Sequence, residues 1–583
     1  MAFTNKLKVT FDFPSIDRDF DFFLISTSEK YIARGAYVLD KPQSSLKASS
    51  LVFDNGKSAF VMFPKSIISG SSLAEQLGNE LLSVKKIYSE DIKDYILVRL
   101  FLYALANFQF QDFAYNNITG KFFFHKPSWR SRSGNSIAAL GIGVDSSLCA
   151  TAEATTFTKL SFFKNNKKVL GPDYAKYVVL PNGKLRRVLS IDESPDIYVK
   201  KGIPGHKAEV PFLDLRVDKV KETRAWYLHD TFAKLNSRFD GYLSVSFQTM
   251  PVSETIGTRR AEDFIEMSLA KATKRQLAVV DMAHDPFYQE MLTDLGASLS
   301  EFSGIKAIAS TEIISGANNV VLIHDEDYYP EGKGDPHKTL PRSQSVQCVT
   351  IEESAKKIIN DKKAVISTVF KELAIKSDII DGYISLDDWA SFSFSGDWVF
   401  GMEVDKAKFF MTVKPNGSIS FVKQEGIYNE IDDPALLELI DLMDDSVAKG
   451  KSIVRDPLGN INLISRTSLF CMPNPELFRL ETISRSGKAR SDYLEGVVDI
   501  NLFQDEDRTY YSAGLVGYGM NWGIPKASLL YEVQTIKGEC IIRDLLETMS
   551  VMFVKYNSFT VMPYPFKYLR EFISTQPTSE VRK

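Results

Sequence analysis

Three side chains that can bind a metal ion, Asp281, His284 and Asp285, lie within five residues of the chain. They follow residues 276–280 directly, a run that predicts a strand. Carboxylate and imidazole groups are common ligands of transition metals. Acidic residues directly after a strand are also typical of a turn or a helix cap, because they accept backbone hydrogen bonds there. Both interpretations stay open, and the turn is the commoner one.

Several other kinds of catalytic site are absent from the sequence. The chain has no phosphate-binding glycine loop ending in Gly-Lys-Ser or Gly-Lys-Thr, no serine-hydrolase elbow and no zincin helix. The glycine-rich run 514–519 lacks dinucleotide-binding spacing and favours close strand packing instead. Cys149, Cys348, Cys471 and Cys540 are too widely spaced for a metal or redox motif. We expect them to be buried thiols in a reducing compartment.

Charge is unevenly distributed along the 583 residues. Residues 121–207 contain fifteen Lys or Arg and six Asp or Glu, although the whole chain has a net charge of −4. The stretch 425–456 is acidic. This asymmetry favours a basic surface for a polyanion, although a solvated basic face without a ligand would give the same pattern.

The elements that would position these residues follow from hydrophobic periodicity. Residues 7–13 alternate as a strand does, and 92–108 and 222–235 are predicted helices. The polar stretch 126–134 is predicted as a loop, and 151–216 as a small β-rich module or an elaborated linker. From about 240 a strand–helix–strand rhythm begins. The length suggests about three to five domains. The N-terminus has no apolar leader and no run is long enough to span a membrane, so we expect a soluble, cytoplasmic protein.

The strongest patterns lie in the second half of the chain. Residues 364–376 predict a helix, because Ile366, Val369, Phe370 and Leu373 fall at i, i+3, i+4 and i+7. Three short runs predict antiparallel strands, with a Pro-Asn-Gly turn before the last of them. A second helix is predicted over 539–555, directly after Gly538. The predicted strands are 242–247, 276–280, Trp398–Val404, 408–413 and 418–423.

Three segments, in order, resemble the second half of a prokaryotic Argonaute. Residues 319–324, 335–338 and 342–350 resemble the path of a MID domain from a strand, through a basic turn, to a glutamine beside the guide's 5′ phosphate. Residues 370–376 resemble the MID helix that ends in a lysine facing the same phosphate. Residues 559–570 resemble the Pro-x-Pro segment that closes many PIWI domains, with the character of branches that lack the full nuclease site.

This resemblance implies an α/β multidomain fold, with a strand-rich N-terminal half followed by a Rossmann-like MID domain and an RNase H-like PIWI domain. The implied boundaries are 1–115 for an N-terminal domain and 116–238 for a basic linker or PAZ-like module. The MID domain would cover 239–375 and the PIWI domain 376–583.

The resemblance also assigns side chains to the guide. A terminal phosphate is held by a few cations and by neutral donors. The residues implied for it are Lys338, Arg342, Gln344, Gln347 and Lys376, with either glutamine able to fit. Lys376 could instead complement the dipole at the end of its helix. A Mg²⁺ ion at the guide 5′ end is also implied. The nucleic-acid backbone would be followed by Lys164, Lys167, Lys168, Lys184, Arg186 and Arg187.

The nuclease site of the family is not complete in this sequence. An active PIWI domain holds two metal ions with carboxylates and sometimes a histidine. Glu403 and Asp405 are the candidates by position, and a strand-end turn explains them equally well. Asp456, Asp499 and Asp505 carry no recognisable motif, and 551–570 contains no Asp, Glu or His. We therefore expect a protein that binds without cutting.

The implied function is recognition of complementary foreign nucleic acid, such as plasmid or phage DNA, with a short 5′-phosphorylated guide. DNA is favoured over RNA as the guide. A partner effector such as a helicase–nuclease would act on the target, as in the Ddm-type plasmid-defence systems, whose Argonaute-like subunit this chain resembles. Two alternatives stay open. One is an active guided endonuclease using two metal ions. The other is a protein–protein scaffold, with which the acidic stretch is compatible.

Overall fold

The computed structural model describes most of the chain in two compact units. The first unit comprises residues 1–250, 468–493 and 516–528, and the second comprises 251–467, 494–515 and 529–583. The described residues are 2–27, 46–54, 58–78, 82–108, 114–118, 121–130, 134–163, 176–179, 185–188, 197–201, 210–213, 220–257, 269–325, 328–329, 334–341, 343–360, 362–384, 396–425, 433–445, 447–472, 499–505, 508–513, 527, 529–549, 562–563 and 565–576.

The first unit begins with strand β1, which pairs with the last strand of its N-terminal 250 residues, β13. A four-stranded sheet in the order β3-β4-β2-β5 follows β1 along the chain. Helix α3 buries its apolar residues from Ile96 to Ala104, whereas Arg99 within this stretch is half-buried. The elements are β1 (Ala2–Phe11), α1 (Phe13–Asp19), β2 (Phe20–Thr27), β3 (Ser50–Phe53), β4 (Ser58–Pro64), α2 (Gly70–Leu77), β5 (Leu82–Ile87) and α3 (Asp94–Ala104).

A second, seven-stranded antiparallel sheet in the first unit has the order β11-β10-β12-β9-β8-β7-β6. It confirms a β-rich region but corrects the prediction of a loop over 126–134, because β7 continues to Arg130. The register of β7 against β8 shifts between His125 and Arg130. The elements are β6 (Ala114–Ile118), β7 (Lys121–Arg130), β8 (Ser136–Val144), β9 (Ala150–Lys159), β10 (Lys176–Val179), β11 (Leu185–Val188), β12 (Ile197–Val199), α4 (Arg224–Arg238) and β13 (Leu243–Met250).

A four-stranded parallel sheet in the second unit has the order β16-β15-β17-β18. Parallel neighbours require crossover connections, so this sheet confirms the Rossmann-like prediction. Strands β15 and β17 are buried throughout, because helices cover both faces of such a sheet. The elements are β14 (Val252–Gly257), β15 (Leu277–Asp281), α5 (Gln289–Ser303), β16 (Ile308–Ser310), β17 (Asn318–Ile323), α6 (Pro336–Thr339), β18 (Val346–Thr350), α7 (Lys356–Ile359) and α8 (Lys363–Asp381).

The remaining strands of the second unit follow the order β14-β24-β25-β26-β23-β22-β19-β20-β21. The three predicted antiparallel strands are confirmed as β19 to β21, with bounds shifted by no more than one residue. The elements are β19 (Trp398–Val404), β20 (Ala407–Val413), β21 (Ile419–Gln424), α9 (Pro434–Asp444), β22 (Ser452–Arg455), β23 (Ile461–Met472), β24 (Asp499–Asp505), β25 (Arg508–Ala513), β26 (Leu529–Lys537), α10 (Ile542–Met549) and α11 (Pro565–Thr575).

Two helices cover opposite faces of β19 and β20. Val399 and Phe410 pack with α9, whereas Phe400 packs edge-on against Phe566 of α11 at 5.4 Å. The alternation of strand side chains assigns these residues to the two faces. The predicted helix 539–555 is shorter in the described residues and begins at Ile542. Among the described residues, no helix is long and apolar enough to cross a membrane.

Candidate functional site

Two of the side chains predicted to hold a phosphate lie side by side at the start of β18. The Lys376 ammonium donates to the Gln347 Oε1 at 2.8 Å and to the Val346 carbonyl oxygen at 2.5 Å. The two residues are far apart in the sequence and come from different elements, α8 and β18. A cation and an amide group at one place are the chemistry that a terminal phosphate needs.

A buried polar network fixes the start of β18 against α8. The Asn318 Oδ1 accepts hydrogen bonds from the Ser345 hydroxyl at 2.8 Å and from the Ser377 hydroxyl at 3.0 Å. All three residues are buried. Their hydrogen bonds satisfy one another, so the network determines a single arrangement of strand and helix. Lys376 directly precedes Ser377, and Gln347 lies two residues after Ser345. The network therefore also holds the backbone of Lys376 and Gln347 in place.

The structure separates the two glutamines that the sequence left as alternatives. The Gln344 amide nitrogen lies 3.4 Å from the Ser315 hydroxyl, in the loop before β17. Gln347 contacts Lys376. Lys338 lies on α6 with its side chain outside the described atoms, and Arg342 lies outside the described residues. The geometry therefore pairs Lys376 with Gln347.

Lys376 is not at the end of its helix, contrary to the sequence prediction. Helix α8 continues to Asp381, and Gly382 ends it in the left-handed conformation. Five further residues carry the helix past Lys376, so the last turn, where the dipole acts, is elsewhere. Ser377 and Asp378, which follow Lys376, are both buried within the helix.

Cys348 and Asp335 lie beside this pair. Burial raises the pKa of the Cys348 thiol to about 11, with Lys376 opposing the shift and Asp335 adding to it. Asp335 also contributes to the raised pKa of Tyr329, after the larger effect of burial. Asp335 therefore acts electrostatically on both the Cys348 thiol and the Tyr329 hydroxyl.

Glu571 is a residue that sequence reasoning missed. Its carboxylate lies 3.6 Å from the Lys376 ammonium, and the two side chains are only 16% and 18% exposed. Glu571 belongs to α11, which packs against α8. No local pattern connects residue 571 with residue 376, so only the three-dimensional packing reveals the pair.

The Asp281 cluster is a turn and not a metal site. The Asp281 Oδ1 accepts from the backbone nitrogens of Ala283 and His284 at 3.1 Å each, and its Oδ2 accepts from Gln289 at 2.9 Å. Asp285 accepts from the backbone of Phe287 at 2.9 Å. Both carboxylates are used as turn and cap acceptors, which is the commoner of the two predicted interpretations.

A second group of side chains lies at the carboxyl edge of the parallel sheet. The chain leaves β15 towards β16 but returns to β17 on the other side, so the loops after β15 and β17 flank a topological switch point. His324, 4% exposed, directly follows β17. Its Nδ1 lies 2.7 Å from Glu352, and its buried Nε2 has no hydrogen-bond partner among the described residues. The Asp285 carboxylate lies 4.0 Å from that nitrogen.

An aromatic ring covers this histidine. Tyr328 stacks on His324 with ring centroids 3.6 Å apart and an angle of 11° between the planes. Tyr328 is 57% exposed. His324, Tyr328 and Tyr329 were not among the predicted site residues, although all three follow a buried strand closely in the sequence. A partly exposed ring at a switch point is a suitable platform for a flat ligand.

The two nuclease candidates lie at a hairpin. Asp405 and Lys406 have φ values of 51° and 68° and connect Val404 to Ala407, so they form the two-residue turn between β19 and β20. Glu403 pairs in register with Lys408. The Lys408 ammonium in turn contacts Asp444, at 2.6 Å, and the Ile440 carbonyl oxygen. Asp405 therefore has the structural role of a turn residue.

Asp456, Asp499 and Asp505, the other candidate acids that the structure describes, do not complete a metal site around Glu403. Asp456 accepts from the backbone and side chain of Asn460, at 2.8 and 2.7 Å, and closes a turn. Asp499 and Asp505 lie on β24, which is five strand spacings from β19 in the sheet order, or about 24 Å. Among the described residues, no group of three metal-binding side chains has the geometry of a metal site.

The acidic stretch 425–456 is largely built into the fold where it is described. Asp433 caps α9, and Asp445 caps the following turn. Glu438 pairs with Lys537, and Asp444 with Lys408. These acids therefore have partners within the chain, whereas the scaffold hypothesis requires acids that can bind a partner protein.

Most of the predicted backbone-binding cations lie outside the described residues, namely Lys164, Lys167, Lys168 and Lys184. Arg186 and Arg187 lie on β11, opposite Val178 and Tyr177 of β10, with their side chains outside the described atoms.

No protein-family model and no curated protein matches the chain. Solved structures do. The crystal structure of Kluyveromyces polysporus Argonaute with a guide RNA shares 11% identity with this chain, covers 98% of it and 93% of its own chain, and gives a TM-score of 0.51. Drosophila Piwi (10% identity, 98% and 96% covered, TM-score 0.41) and A. aeolicus Argonaute (8%, 98% and 97%, 0.36) also match. Together with the parallel sheet and the antiparallel β19–β21 strands, the first of these matches shows that the chain has the Argonaute fold.

Proposed function

We propose that this protein holds a short nucleic-acid guide by its 5′ phosphate and uses it to find a complementary strand. The observation that carries the proposal is the 2.8 Å contact between Lys376 and Gln347. Two residue types implied for phosphate binding, chosen from separate segments of the sequence, meet at one point of the fold. Base pairing would then read the sequence of the target, and the protein would read only the backbone and the guide end.

The loop after β17 supports the same proposal. Tyr328 offers an exposed ring that stacks on His324, directly after β17. Stacking on an aromatic ring stabilises an unpaired base by about 1–3 kcal/mol. The first base of a guide would stack on Tyr328 while its phosphate meets Lys376.

A Mg²⁺ ion at the guide 5′ end is part of the proposal. Mg²⁺ prefers oxygen ligands and binds through one or two carboxylates together with substrate phosphates. The ion would reduce the charge of the phosphate there.

We further propose that the protein recognises without cutting and that a partner effector acts on the target, with foreign DNA as the target class. The support is chemical. Asp405 is a turn residue, and Asp499 and Asp505 are about five strands from Glu403 in the sheet. A cytoplasmic location in a bacterial defence system against plasmids or phage fits this role.

Binding of 5′-phosphorylated and 5′-hydroxyl strands tests the proposal. We expect Lys376→Ala to weaken binding of a labelled, 5′-phosphorylated short DNA strand by about 1.5–3 kcal/mol, the range for a hydrogen bond to a charged group. The 5′-hydroxyl strand should lose much less. Lys363→Ala, which removes an exposed lysine from the start of the same helix, is the matched control.

Equal losses for the two strands would show that Lys376 is a general backbone contact or a structural residue. The same titration at rising salt separates guide binding from the scaffold hypothesis. Phosphate binding weakens steeply with salt because counterions are released. A protein–protein scaffold would show no oligonucleotide binding at any salt concentration.

A further inference from the structure

We propose that Glu571 is an internal counter-ion of Lys376 that weakens binding of a terminal phosphate and so sets the selectivity of the site. The inference rests on the proposed function and deepens it. It assigns a role to a residue on α11, outside the segments that the sequence connected with the phosphate.

The hydrogen-bonding capacity of Lys376 is the first step. Its ammonium has three hydrogens, and three acceptors surround it: the Val346 carbonyl oxygen at 2.5 Å, the Gln347 Oε1 at 2.8 Å and the Glu571 Oε1 at 3.6 Å. The first two distances are hydrogen bonds, whereas the third is an ion pair beyond hydrogen-bonding distance. A phosphate oxygen that approaches Lys376 would therefore replace Glu571 first.

The position of Glu571 is the second step, because α11 is held on α8 by other contacts. The Lys567 ammonium lies 3.0 and 3.1 Å from the two carboxylate oxygens of Glu372. The Tyr568 hydroxyl donates to the buried Asp378 at 2.6 Å. Residues four apart on a helix lie on the same face. The pairs Lys567–Glu372 and Glu571–Lys376 are thus two successive, charge-reversed bridges between the same two helices.

Electrostatics is the third step. Lys376 and Glu571 neutralise each other, so an incoming phosphate meets a pair with no net charge and a carboxylate within a few ångströms of the cation. Both side chains are mostly buried, which strengthens the repulsion between carboxylate and phosphate relative to water. A 5′-hydroxyl end carries no such charge. The penalty therefore falls on the phosphorylated strand.

The test compares Glu571→Gln with Glu372→Gln in the full-length protein. Each variant removes one carboxylate and one α8–α11 ion pair, but only the first removes the counter-ion of Lys376. Affinities for labelled 5′-phosphorylated and 5′-hydroxyl DNA strands are measured in EDTA, so that no divalent ion offsets the repulsion. We expect Glu571→Gln to tighten binding of the phosphorylated strand by about two- to tenfold, the range of a partly buried ion pair. The hydroxyl strand, and both strands with Glu372→Gln, should bind as the wild type does.

The outcomes separate this inference from the proposed function. If Lys376→Ala abolishes the phosphate preference but Glu571→Gln leaves it unchanged or lowers it, the inference is wrong and the proposed function stands. If neither the wild type nor any variant prefers the phosphorylated strand, both are wrong. Glu571→Asp, which keeps the charge but shortens the side chain, guards against misfolding of the glutamine variant. It should shift the preference in the same direction by a smaller factor.

Discussion

At the scale of single residues, the informative positions are those whose charge has a specific partner. Lys376, Glu571 and Gln347 share one site, and His324 lies between the carboxylates of Glu352 and Asp285. The local sequence identifies which residue types could bind a phosphate, but a partner 195 positions away cannot be read from spacing. Glu571 was invisible for this reason, whereas Lys376 and Gln347 could be named in advance.

Glu352 provides a pH-dependent prediction at this scale. Burial alone would raise the pKa of its carboxyl, but hydrogen bonds from the His324 ring and from backbone nitrogens outweigh burial and lower the pKa below its ordinary value of 4.5. A lowered folded-state pKa adds stability above the unfolded-state pKa, and that stability is lost as pH falls through the folded-state pKa. Glu352→Gln should therefore lower the free energy of unfolding near neutral pH, by about 1 kcal/mol or less for a side chain this exposed, and with it the thermal midpoint.

The measurement is the thermal midpoint of wild type and Glu352→Gln across the acid range. The gap between the two proteins should close as the pH falls below 4.5. A gap that stays constant with pH would show that Glu352 acts through packing or neutral hydrogen bonds and not through its charge.

At the scale of elements, the hairpin between β19 and β20 decides how Asp405 is interpreted. A two-residue turn with both φ values positive has the backbone of a type I′ turn, which favours glycine at its second position. Lys406→Gly should therefore stabilise the protein, because the left-handed conformation costs a lysine about 1–2 kcal/mol, which exceeds the roughly 0.5–1 kcal/mol entropic cost of a glycine. Chemical denaturation of the variant and the wild type gives the difference. Destabilisation would mean that the lysine side chain makes a contact more valuable than the relief of backbone strain.

Hydrophobic periodicity correctly predicted those elements whose sequence follows one period throughout. Strands β19 to β21 alternate with period two, and α8 carries an apolar stripe at helical spacing, so both were placed within a few residues. The prediction of a loop over 126–134 was wrong for residues 126–130, which belong to β7. The polar residues and the proline of this stretch are typical of a loop. In the structure, residues 126–129 lie where the β7–β8 register shifts, and pairing resumes at Arg130 with Ile137. Pairing with β8 determines the structure of this region, and the local sequence pattern does not predict such pairing.

The end of α8 also could not be predicted from the local sequence. Buried polar residues such as Asp378 look like a helix end in the sequence. Here Lys271 lies 2.8 Å from Asp378, and Tyr568 donates to the same oxygen. Tertiary partners thus allow the helix to continue through a buried charge that would otherwise be unpaired. The length of α8 is therefore a property of the packed second unit and not of the segment alone.

At the scale of the whole molecule, the fold has to be distinguished from the activity. The Argonaute fold is retained at 11% identity to the structure with a TM-score of 0.51, so very different sequences form it. A shared fold does not establish a shared reaction, and function has to be argued from the site. Asp433, Asp444 and Asp456 of the second unit are engaged in a helix cap, an ion pair and a turn. This leaves phosphate binding as the activity for which the geometry offers positive support.

The last prediction concerns cleavage by the guide-loaded protein. We expect no cutting of a complementary strand in Mg²⁺ or Mn²⁺, because two divalent ions need several carboxylates to offset their charge and set in-line geometry. Glu403 faces Lys408 across the hairpin, Asp405 is held in a turn, and Asp499 and Asp505 are about 24 Å away along the sheet. A time course on a matched target, beside a Glu403→Ala, Asp405→Ala double variant, provides the measurement. Guide-dependent cutting that disappears in the double variant would make the protein a nuclease and place its metal ions at the β19–β20 hairpin.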